Sequence, residues 1–267
     1  MKYGILGMVV AAVWYGAMPA TRPERAPLPP SGGQQDDHWS WNGRIAAGKT
    51  LEIRGINGEV VAEAAAGEAA QVTADKHGRR DDPKDVRIEV VEHDGNVTIC
   101  AVYPEGNHCE AGGSRQRVHD NDVQVDFTVH VPRGVIFDGN TVNGGVTATN
   151  LAGPVRLHTV NGGARLETSG GDATAETVNG SITATIQAIG EAPLRFHTVN
   201  GSITLTLPAG LSANLEARTV NGSIESDFPI TVSGRMNPRE LHGRIGQGGR
   251  SLDVETVNGS IRVRRLP

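Results

Sequence analysis

Nine histidines, two cysteines and one acidic stretch are the residues of this chain best suited to chemistry. Histidine nitrogens can hold a transition metal or move a proton near neutral pH. His158 and His197 each stand three residues before an Asn-Gly pair, in a column that also holds Asn140, Glu176, Arg218 and Glu255. So mixed a column reads as a solvated outer face. If the copies stack, Glu176 falls between the two histidines and holds them about 9.6 Å apart, too far for one metal ion. "DNDVQVD" at Asp120–Asp126 sets carboxylates at alternate positions, as weak calcium binding would need. It lacks the glycine and the final glutamate of an EF-hand loop, so a solvated strand edge is expected.

Cys100 and Cys109 flank a turn-like "YPEGN". In an exported protein so close a pair favours a local disulfide; two reduced structural thiols are the alternative. His108 adjoins them, but no fourth zinc ligand is apparent. No phosphate-binding glycine loop and no G-x-S-x-G elbow is present. Serines such as Ser181 and Ser202 recur at one repeat position, which marks them as structural. A carbohydrate-active β-helix enzyme would need clustered charge beside aromatic platforms, whereas the repeat region offers Phe137, Phe196 and Phe228 and neither Trp nor Tyr. No catalytic residue, cofactor or metal is therefore assigned, and an enzyme is not expected.

The elements that carry these residues come from a repeat. "TVNG" begins at Thr141, Thr159, Thr177, Thr198, Thr219 and Thr256. Its asparagines, Asn143, Asn161, Asn179, Asn200, Asn221 and Asn258, are spaced by 18, 18, 21, 21 and 37 residues. "ELHGRI" at Glu240–Ile245 reads as a degenerate copy inside the last gap, with His242-Gly243 in place of Asn-Gly. "RGINGEV" at Arg54–Val60 is a distant early copy. A period near 20 residues is the mark of a solenoid.

Within each unit apolar residues alternate, as at Ile203, Leu205 and Leu207, so each unit is two short strands and two turns. An antiparallel meander with type I′ hairpins also fits the pattern. It gives no reason for Thr-Val to precede every Asn-Gly. Parallel stacking does, because equivalent residues then lie about 4.8 Å apart and form ladders of like on like. The expected fold is an all-β, right-handed, single-stranded parallel β-helix with 18–21 residues per coil. Its corners are the asparagines above with Gly144, Gly162, Gly180, Gly201, Gly222, Gly243 and Gly259, the glycines being expected to permit positive φ. Strict alternation leaves one point open: either Thr198 faces inward with Phe196, or the chain bends between them.

Residues 39–135 lack the period. "VRIEVVEHDGNVTICAVY" at Val86–Tyr103 reads as a hairpin turning at Asp94-Gly95, and "VQVDFTVHVPRGV" at Val123–Val135 as an alternating strand. They are expected to form a β-rich cap on the 136–267 solenoid. Residues 1–20 have the layout of a secretory signal peptide, one Lys followed by a short apolar run and small residues. Retention of that segment as an anchor is the alternative. Residues 21–38, rich in Pro, Gly and charge, read as a flexible linker. A net charge of −5 shows no nucleic-acid footprint.

The strand ending "VPRG", the repeated "TVNG" corners and the entry segment "LEIRGINGEV" at Leu51–Val60 carry a resemblance. From about Trp39 onward the chain resembles the bacterial DUF4097-type adhesin family, and is similar to autotransporter-adhesin-like head domains. The resemblance implies a β-solenoid and an exported, non-enzymatic interaction scaffold of the cell envelope, periplasmic, surface-bound or secreted. It brings no catalytic residue. The expected partner is a protein or a surface ligand, met through outward columns such as His158, Glu176, His197 and Arg218. A periplasmic envelope-stress or sensor accessory is the alternative.

Overall fold

The computed structural model describes residues 33–35, 37–112, 118–169, 172–188, 190–232 and 238–267. The expected export segment and most of the expected linker lie outside the described residues. Among the described residues no helix is long and apolar enough to cross a membrane.

Apart from a 3-10 turn at Pro83–Asp85, every described element is a strand. In chain order they are β1 (Gly33–Gln35), β2 (His38–Arg44), β3 (Thr50–Arg54), β4 (Val60–Ala64), β5 (Ala69–His77), β6 (Arg87–His93), β7 (Asn96–Val102) and β8 (Gln124–Val131). The repeats supply β9 (Ile136–Asn140), β10 (Val146–Leu151), β11 (Val155–His158), β12 (Ala164–Thr168), β13 (Ala173–Asn179), β14 (Ile182–Ile186), β15 (Leu194–Asn200) and β16 (Ile203–Leu207). The C-terminal part adds β17 (Ala213–Asn221), β18 (Ile224–Ser226), β19 (Ile230–Val232), β20 (Glu240–Ile245), β21 (Arg250–Asn258) and β22 (Ile261–Arg265).

Period-two alternation makes these strands and decides their faces. In β16 Ile203, Leu205 and Leu207 are buried while Thr204 and Thr206 face out. Each coil gives one strand to each of two parallel-rich sheets, which do not close into a barrel. The first sheet runs β1-β2-β5-β8-β4-β10-β12-β14-β16-β22-β18, and the second β19-β20-β17-β21-β15-β13-β11-β9-β3-β7-β6. Register aligns like with like: Ile182 pairs with Ile203, and Ile203 with Ile261. The β6–β7 hairpin forms at the expected turn, with Asp94 and Gly95 both at positive φ, 51° and 78°, as a type I′ turn requires.

Two features differ from the sequence reading. First, β3–β4 and β7–β8 are themselves coils of the stack, and β3 and β4 pair directly with β9 and β10. One core runs from Trp39 to Val263, so residues 39–135 share the packing of 136–267. Second, "ELHGRI" is not a degenerate coil. It is β20, an antiparallel strand between β17 and the edge strand β19 of the second sheet, with His242 opposite Glu216 and Gly243 opposite Leu215. The spacing arithmetic admitted a corner there, but Gly243 packs against Ile230 of β19 and has no stacked corner beneath it.

Spatial order also departs from chain order at both ends. The first coil, β3–β4, lies inside the second, β7–β8. The last coil, β21–β22, slides between β15–β16 and β17–β18. Charge accounts for the second case. Arg264 bonds Glu225 and Asp227 at 3.0 and 2.9 Å, Asp253 faces His197 at 3.1 Å, and Glu255 sits beside Arg218. Stacked in chain order, His197 would instead face Arg218.

Candidate functional site

Three arrangements could carry function: the corner ladders, the outward columns, and a polar cavity on the second sheet.

At the corner the chain turns from one sheet to the other, and the asparagine side chains line up. Each Nδ2 donates to the next Oδ1: Asn143 to Asn57, Asn161 to Asn143, Asn179 to Asn161, Asn200 to Asn179, Asn258 to Asn200 and Asn221 to Asn258, at 2.7–2.9 Å. The ladder thus includes Asn57 and omits His242. Asn57 was legible only as the distant copy "GINGEV"; its ladder partner lies 86 residues on.

Threonine settles the open question of direction. Thr198 is buried and its hydroxyl donates to the Gly180 carbonyl at 2.8 Å, while Val199 faces solvent at 40% exposure. The same bond recurs from Thr141, Thr159, Thr177, Thr219 and Thr256. Val142, Val160, Val178, Val199 and Val220 form an exposed apolar column beside the asparagines.

The corner glycines are needed for a reason other than the expected one. Among the Asn-Gly glycines only Gly58 has positive φ. A Cβ on Gly144, Gly162, Gly180, Gly201, Gly222 or Gly259 would instead stand 1.9–2.0 Å from the carbonyl oxygen of the glycine stacked beneath it. Close approach of backbone to backbone selects glycine here.

The amide ladder makes a stability prediction. Asn200→Leu removes a donor to Asn179 and an acceptor for Asn258, and is expected to lower stability by about 1–2 kcal/mol. Ser202→Ala should stay within about 0.5 kcal/mol. Chemical denaturation of the two variants checks this; equal, negligible losses would show that the amide chain adds nothing.

The histidine column lies in register as Asn140, His158, Glu176, His197, Glu255, Arg218 and Glu240 across the second sheet. Glu176 stands between His158 and His197, and His158 approaches it at 3.6 Å. Among the described residues no group of three metal-ligating side chains converges. The acidic stretch is occupied by its own loops: Asp122 accepts backbone N–H bonds from Asp81 and Arg80, chiefly the former, which hold its carboxyl at about 2. Asp126 accepts from the Glu59 backbone N–H. Cys100 and Cys109 are joined as a disulfide, which ties the loop after β7 back onto that strand.

The cavity is the feature that sequence reading missed. It has a volume of about 420 Å³ on the outer face of the second sheet. Its floor is one register row across four parallel strands: Thr98, Glu52, Asp138 and Arg156. Glu52 is 8% exposed and saturated, one oxygen bonded by the Arg54 guanidinium and the other by the Thr98 hydroxyl at 2.9 Å. Asp138 accepts one bond, from Asn140 at 2.8 Å. Burial raises its carboxyl above the ordinary value, and the Glu52 charge adds to this, against the Asn140 bond and the charges of His158 and Arg156.

A raised folded-state value means that the neutral acid is favoured on folding. The associated stability is present below the ordinary value of 3.8 and is lost as pH rises through the folded value. Asp138→Asn keeps the acceptor for Asn140 and removes the charge. Thermal melts are expected to show D138N more stable than the parent at pH 7–8, with the advantage vanishing below pH 3.8. A pH-independent difference would mean that the carboxyl is not strained by its burial.

Two parallel-rich sheets, laddered corners and unbroken stacking define the chain as a β-solenoid. The chain belongs to the DUF4097 family: the family model, Toastrack DUF4097, matches residues 81–264. The coil at 50–64 precedes that match although it stacks within it. Among solved structures, a "putative cell adhesion protein" from Clostridium sporogenes ATCC 15579 is similar at 12% identity and TM-score 0.43, covering 85% of this chain and 99% of its own. A "putative adhesin" from Bacteroides fragilis NCTC 9343 is similar at 11% identity and TM-score 0.34, covering 87% and 98%. No curated protein matches the chain.

Proposed function

We propose that this protein is an exported, non-enzymatic scaffold that presents the outer face of its second sheet to a partner at the cell envelope. One observation carries the reading. The corner Thr, Asn and Gly positions repeat unchanged, while the outward column three residues before each corner asparagine varies through Asn140, His158, Glu176, His197, Glu255 and Arg218. A rigid frame with a chemically varied face suits recognition, in which charge pattern gives specificity. Glu52 has both oxygens bonded, so it is poorly placed as a nucleophile or general base, and the scaffold reading is favoured over a carbohydrate-active enzyme.

Fractionation of the native protein with an intact-mass measurement tests export. A chain starting near Thr21 in the periplasmic or extracellular fraction supports a free scaffold. Met1 retained in the membrane fraction would favour an anchored sensor accessory, to be crosslinked to its neighbours. An intact chain in the cytosol would overturn both.

A further inference from the structure

The lining of the cavity leaves donors unused. Arg156 is exposed, and among the described residues it makes no hydrogen bond or ion pair. Arg54 spends a terminal nitrogen on Glu52, while its Nε is buried and without a partner. Acceptors are also unused: Asp138 has one carboxyl oxygen without a hydrogen bond. Asn96 accepts the Thr50 backbone N–H at 2.9 Å through Oδ1, which leaves its amide donor free. Ala111 and Gly112 flank the opening on the loop that the Cys100–Cys109 bridge anchors.

A ligand for this place needs one carboxylate-like charge for the guanidinium and several hydroxyls that both donate and accept. We propose that the cavity binds a carboxylated sugar unit of the hexuronate class, its carboxylate on Arg156 and its hydroxyls on Asp138 and Asn96. The volume, about 420 Å³, lies within the range of small-molecule sites. Arginine suits a planar carboxylate because its fork can bond both oxygens. A doubly charged phosphate is disfavoured by the adjacent Glu52 and Asp138 carboxyls. A peptide is disfavoured too: the site lies on a sheet face whose backbone is already paired, and among the described residues lining it Val97 and Ala111 are the only apolar side chains beyond threonine methyls. The proposal deepens the scaffold reading by naming a ligand for its binding face, and rests on it only in that respect.

The test is titration of the purified full chain with D-glucuronate, followed by NMR and calorimetry, beside glucose, acetate and an N-acetylated glutamate peptide. Glucuronate is expected to bind at least about tenfold more tightly than any of the three. Arg156→Met should weaken glucuronate by about tenfold or more while the chain still melts cooperatively, and R156K should recover part of the loss. Equal response to glucuronate and glucose would overturn the proposal. So would an unchanged affinity in R156M, or a peptide or acetate that matches glucuronate. None of these results bears on export, which the fractionation decides separately.

Discussion

Gly180→Ala is expected to cost at least about 3 kcal/mol, seen as a melting temperature lower by roughly 6–12 °C. The added methyl would stand 1.9 Å from the Gly162 carbonyl oxygen, and that atom belongs to the backbone of a packed coil. Nothing flexible can give way. The neighbouring coils are tied there by the Thr177 bond to the Gly162 oxygen at 2.9 Å and the Thr198 bond to the Gly180 oxygen at 2.8 Å. Relieving the clash therefore means opening the stack or breaking those bonds. Gly210→Ala is the control: no atom lies within 4 Å of its Cβ and its φ is not positive, so the change should be near neutral. A mild Gly180→Ala, comparable to Gly210→Ala, would mean that the coils are not held at backbone contact.

Removal of residues 250–267 is expected to do more than shorten the chain by one coil. In a solenoid stacked in chain order the last coil would peel away and leave the rest intact. Here β21 lies between β15 and β17, and β22 between β16 and β18. Leu252, Val254, Ile261 and Val263 are all fully buried between those neighbours. Their loss amounts to about 6–12 kcal/mol at the usual value per buried side chain, an upper figure, and comparable to the whole stability of a typical domain. Glu225 and Asp227 would also lose their arginine partners, Arg262 and Arg264. Hydrogen exchange on the truncated protein should show lost protection across 213–226 and at the amides of Gly201 and Ile203, which donate to the Asn258 and Ser260 carbonyls. Protection there equal to that of the parent would contradict the interleaved order.

What was legible in the sequence was local and periodic. Asn-Gly spacing placed the corners, and alternation at Ile203, Leu205 and Leu207 gave the strands and their faces. The order of the coils was not legible, because corners built on one motif can stack on one another in any order. The charges at Asp253, Arg262 and Arg264 match the neighbours of the last coil, and they speak only once neighbours are known. His242 was misread because a glycine at the right spacing suits an antiparallel edge as well as a corner. The corner glycines themselves were expected for the wrong cause, since positive φ and close approach select the same residue. The cavity was hidden by distance along the chain: Glu52 and Asp138 are register neighbours because β3 lies between β7 of the following coil and β9.

Between Ile136 and Leu207 chain order and spatial order coincide, whereas at both ends they do not. The molecule thus has an extensible middle and two fixed clasps. A duplicated or deleted unit in the middle would meet on either side a corner that it already matches, and would change the length by about 4.8 Å. The same event at either end would separate a coil from the partner it must embrace. Descendants of this gene are therefore expected to differ in reach by whole units gained or lost in the middle, with the clasps at both ends preserved.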